Sequence, residues 1–131
     1  MEGCVVTDFK VHSKANCFVL NPEQMKRIQD EVAVSVPLEP GINIVKIRSG
    51  AFSYRTAEGR VAEPLVLLWI YGGKVINQKT EVEVGATWSS LNGYDDTLTL
   101  NVKEKATLCA FFFDTYLEDN DGEVFLSVVR I

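Results

Sequence analysis

Histidine is almost missing from this chain: His12 is the single copy in 131 residues. Acid–base and nucleophile pairings that depend on imidazole have one place to occur, and Val11-His12-Ser13-Lys14 is a polar stretch that reads as surface. No Gly-x-Ser-x-Gly elbow, zinc-ligand spacing or phosphate loop occurs. Paired carboxylates such as Asp114 and Asp119 are glycosidase chemistry, but that reaction also needs a cleft that no pattern here announces. An enzyme is not expected.

Cysteine is scarce as well. Cys4, Cys17 and Cys109 include no Cys-x-x-Cys pair, and Cys109 lies in an apolar run, so they read as reduced, packed thiols. Long hydrophobic runs are lacking: Pro64–Tyr71 and Ala106–Phe113 fall far short of the roughly 20 residues that span a bilayer. No membrane helix is expected, and no secretory pattern opens the sequence, so the expected location is cytoplasmic. Basic charge is in deficit, with 13 Lys and Arg against 18 Asp and Glu and a net charge of −5. That balance argues against nucleic acid and favours neutral ligands or cations.

What is present is the composition of one packed domain over residues 1–131, with 47% hydrophobic and 24% charged residues. Asn21-Pro22-Glu23-Gln24 is a helix start, predicting a short helix from Pro22 to about Asp30 with Met25, Ile28 and Val32 at helical spacing. Elsewhere the period is two. Strands are predicted at Cys4–Val11, Cys17–Leu20, Val32–Val36 (stopping at Pro37), Ile42–Ile47, Leu65–Tyr71, Lys74–Ile76, Ala86–Leu91, Thr97–Val102, Ala106–Phe113 and Glu123–Ile131. Gly72-Gly73 reads as a tight hairpin or a bulge. Short strands separated by turn residues predict a mainly β fold, an antiparallel sandwich.

The most informative stretch is the loop Asp114-Thr115-Tyr116-Leu117-Glu118-Asp119-Asn120-Asp121-Gly122, whose carboxylates and amide are the oxygen donors calcium takes. It is not a helix-loop-helix calcium hand, because Leu117 stands where that loop needs its first Asp. The alternative is an acidic hairpin turn, for which Asn-Asp-Gly is well suited. Phe52 reads as packing, Tyr54 as packing or a stacking surface, Trp88 as core, and Asp95-Asp96 as a second cation site or solvated charge.

Two stretches, in this order, resemble the soluble calcium-dependent galactose-binding bacterial lectins of the PA-IL type. The first is Pro40-Gly41 and the following strand through Gly50-Ala51-Phe52-Ser53-Tyr54; the second is Asp119-Asn120-Asp121-Gly122, similar to that family's Asn-Asn-Ser-Gly. The resemblance covers roughly the last 90 residues, and Met1–Asp30 has no counterpart. It implies a jelly-roll-like sandwich with calcium held by Tyr54, Asp114, Tyr116, Asp119 and Asn120, and a saccharide bound through the metal beside Tyr54, Asp114 and Asn120. Asp119 stands where the family has an amide, which adds negative charge. The segment Arg55–Glu63 is shorter than the family's and has no histidine. Two functions are therefore expected: a calcium-dependent, lectin-like binding module, or a metal-free interaction domain that forms a homo-oligomer.

Overall fold

A computed structural model describes residues 3, 5–54, 62–115 and 117–131. The helix forms as its cap predicts. The Asn21 side chain accepts from the Gln24 backbone N–H at 2.8 Å, and the Gln24 side chain accepts from the Asn21 N–H at 2.9 Å, closing a capping box. Helix α1 covers Pro22–Arg27 and runs into a π-helical turn at Ile28–Val32. Met25 and Ile28 face a sheet, whereas Val32 is exposed.

Nine strands follow among the described residues: β1 (Val34–Leu38), β2 (Gly41–Ser53), β3 (Leu65–Tyr71), β4 (Lys74–Asn77), β5 (Glu83–Val84), β6 (Thr87–Asn92), β7 (Thr97–Glu104), β8 (Ala106–Phe111) and β9 (Asp121–Arg130). They form two antiparallel sheets, β1-β8-β3-β6 and β5-β4-β7-β2-β9. Apart from the β4–β5 pair, each strand is followed by one in the other sheet. This order is that of an eight-strand jelly roll with β9 added outside β2. The predicted mainly β sandwich is the observed fold.

The alternating burial of β3 and β7 shows why the sheets stack. Val66, Leu68 and Ile70 from one and Leu98, Leu100 and Val102 from the other are buried, and with Leu38, Val45 and Ile47 they make one core. The outer face of the four-strand sheet is covered in part by Leu20, Met25 and Ile28, which pack with Cys109, Phe111 and Trp69.

Four expectations are corrected. Cys4–Val11, of which Cys4 lies outside the described residues, and Cys17–Leu20 contribute no strand, because their described residues have no ladder partner among the described residues. Pro37 does not stop β1: the strand lies at a sheet edge and bonds on one side only, where a missing N–H is tolerated. Of the two readings of Gly72-Gly73 the hairpin is overturned, since β3 and β4 lie in different sheets and Gly72 at φ +85° turns the corner between them, while the β4–β7 register does shift just after it, between Lys74 and Val75. Trp88 is not core: on edge strand β6 it points outward, 47% exposed, with its ring 4.4 Å from that of Trp69.

Candidate functional site

A bulge decides where Tyr54 goes. The β2–β9 register shifts between Ile47 and Ser49, so the inward set of β2 changes from Asn43, Val45 and Ile47 to Phe52 and Tyr54. Phe52 is buried, stacked on Phe112 at 3.9 Å and met edge-on by Tyr54 at 4.6 Å. Its backbone also bridges Glu63, with N–H to O distances of 2.7 and 3.0 Å, tying the return of the chain to this end of the sandwich.

The ladder brings the second stretch to the same place. Ser53 pairs with Asp121 and Phe52 with Gly122, so Tyr54 and Asn120 are the next residues out on the two strands. Asp114 follows Phe113 at the exit from β8 and accepts the Thr115 N–H at 2.7 Å. Burial raises the Tyr54 phenol above its ordinary 10.0; a hydrogen bond from the Phe113 backbone opposes this, and the charges of Asp114 and Glu63 add to it. Tyr54, Asp114 and Asn120 therefore share one end of the sandwich. Asp119 lies beside them in the turn closed by Asn120 N–H to Leu117 O at 3.1 Å. Tyr116 and residues 55–61 lie outside the described residues.

One polar atom here is unsatisfied. Asn120 Oδ1 is buried without a hydrogen-bond partner, a loss of about 1–3 kcal/mol for a polar group removed from water. Among the described residues no three His, Cys, Asp or Glu side chains come together as a metal-holding group.

Asn120 opens onto the feature that sequence reasoning missed. The five-strand sheet is one strand wider than the four-strand sheet, so β9 overhangs β1. Val124, Leu126 and Val128 of β9 and Val34 and Val36 of β1 line a cleft of about 660 Å³ that is apolar apart from Asn120. Val34 is 71% exposed although its ladder partner is Ala110, because no strand lies beyond β1. Among the described residues both flanking strands are sheet edges that bond to a neighbour on one side only, and β1 carries Pro37, which has no N–H. A strand here was legible, but its overhang depends on strand order.

A second recess of about 660 Å³ lies between Phe18, Leu20, Trp88, Phe113, Asp114 and Thr115. It gives Asp114 an aromatic neighbourhood: Phe111 meets Phe113 edge-on at 5.2 Å and Trp88 at 6.1 Å. The remaining candidates serve local structure. Asp96 accepts the Asn92 N–H at 3.0 Å and pairs with Lys79 at 3.7 Å. His12 is exposed, and its Nδ1 accepts the N–H groups of Lys14 and Ala15 at 3.0 and 3.3 Å.

No helix among the described residues is long and apolar enough to cross a membrane. Compared with known protein families, characterised proteins and solved structures, the chain matches none.

Proposed function

We propose that this chain is a non-catalytic binding module that associates with a second copy of itself through the open side of the sandwich. The observation that carries this reading is the unequal width of the sheets. Among the described residues the inner face of β9 is apolar and has no opposing strand, and it is flanked by two sheet edges. Exposed apolar edges are ordinarily paired or covered. A second copy supplies both apolar surface and backbone partners. Sedimentation across a concentration series in chelator tests the reading: a reversible dimer is expected, and a monomer throughout contradicts it.

Calcium-assisted saccharide binding is the second reading, and Asn120 favours it. The donors at this end of the sandwich are oxygens, the kind calcium takes, and the unsatisfied Asn120 Oδ1 is one of them. Asp114, Asp119 and Asn120 would hold the ion beside Tyr54. The ion would supply positive charge and coordination positions for sugar hydroxyls. A saccharide ring would rest against Trp88 or Phe113, both 47% exposed near Asp114. Sugar binding that disappears in chelator is the expected result of this second reading.

A further inference from the structure

The N-terminal arm has the pattern of a strand and the surroundings of none. Val5, Thr7, Phe9 and Val11 alternate with Val6, Asp8, Lys10 and His12, yet Val5 and Phe9 are each 85% exposed and the segment joins no sheet. A turn at His12–Asn16 follows it. Asn16 N–H donates to His12 O at 3.0 Å, His12 N–H to Asn16 Oδ1 at 2.9 Å, and the His12 ring accepts from Lys14 and Ala15. An apolar strand sequence without a partner therefore coexists with a sheet that lacks one strand.

We propose that residues 5–11 of one copy lie in the cleft of a second copy, as the fifth strand that the narrower sheet lacks, and that the exchange is reciprocal. This rests on the self-association reading and names the segment that carries it. Beside β1, the arm would turn Val5, Phe9 and Val11 onto Val124, Leu126 and Val128, which face the cleft. Charge sets the direction. Residues 5–11 carry Asp8 in the middle and Lys10 toward the C-terminal end, with Lys14 in the turn beyond, in a chain of net charge −5. The acidic end of the cleft carries Glu118, Asp119, Asp121 and Glu123. Placing Lys10 at that end puts Val11 near Val34, the residue where β1 begins, and makes the arm antiparallel to β1. The unpartnered Asn120 Oδ1 lies at the same end. Reciprocal exchange of two arms closes a twofold dimer and leaves neither cleft open.

The test uses the full chain. Phe9→Asp with Val11→Asp changes residues that lie in solvent in the single chain, so the variant folds, which an unchanged monomer thermal midpoint verifies. Sedimentation is expected to show the dimer weakened at least about 100-fold, because each charge enters a buried apolar contact. In a Cys4→Ser, Cys17→Ser background, a Val11→Cys copy mixed with a differently tagged Val34→Cys copy is expected to form a disulfide between the two. A dimer unaffected by the aspartates, with no mixed disulfide, overturns the arm exchange and leaves self-association standing by another face. A wild-type chain that stays monomeric at every concentration removes both.

Discussion

Gly122 fixes the start of β9 and so the position of Asn120, and replacing it with alanine has a cost that can be worked out. Its φ of +89° lies in the left-handed region, where a residue with a Cβ loses roughly 1–2 kcal/mol. A Cβ built there would also lie 2.1 Å from the Ala51 carbonyl oxygen, an overlap with backbone that only a shift of the β2–β9 ladder relieves. Weakening one ladder bond adds about 1 kcal/mol. The total of roughly 2–3 kcal/mol corresponds to a fall in thermal midpoint on the order of 10 °C for a domain of this size. Gly72→Ala is the control. Its φ is +85°, almost the same, but nothing lies within 4 Å of the added Cβ. Only the backbone cost applies, and the drop is expected to be about half as large. Calorimetry on the two variants decides: equal losses would refute the claim that β9 is pressed against β2 at this point.

Three further outcomes are expected. A thiol reagent modifies exposed Cys17 at once and leaves Cys109, buried with its Sγ 3.4 Å from the Ser35 hydroxyl, until the protein is unfolded; fast labelling of Cys109 contradicts the packing. Because folding raises the Tyr54 phenol pKa, the native state holds that proton more tightly than the unfolded chain. The contribution is complete below the ordinary 10.0 and is lost as pH rises from there through the folded value, so Tyr54→Phe flattens the decline in urea midpoint that begins near pH 10.0. For the calcium reading, millimolar calcium at about 100 times its dissociation constant raises stability by about 2.7 kcal/mol. Asp114→Asn with Asp119→Asn abolishes that shift, and a shift that survives the double change excludes this site.

The sandwich was legible because burial on one face leaves a period-two trace, as in β7, where Leu98, Leu100 and Val102 alternate with Thr97, Thr99 and Asn101. Local capping was equally plain in Asn21 and Gln24. Pairing was not, since it depends on residues far apart in sequence. Gly72-Gly73 has the chemistry of a hairpin but links two sheets, and Trp88 has the character of core but lies on an edge strand's outer face. Tyr54, Asp114 and Asn120 lie at one end of the sandwich, and a bulge at Arg48 is what turns Tyr54 inward. The predicted strand at Cys4–Val11 failed inside one chain for want of a partner. The same want, on the other side, is the missing fifth strand beside β1.

Hydrogen exchange on the free edges tests the account most directly, because it reports whether the open side of the sandwich is covered. With the chain diluted to a monomer, the β1 amides that do not bond to β8 and the amides of residues 5–11 are expected to exchange as fast as exposed loops. At high concentration both sets should become protected together, while the interior of β3 is unchanged. Fast exchange at both concentrations would mean that nothing occupies the cleft, and the association reading would be wrong.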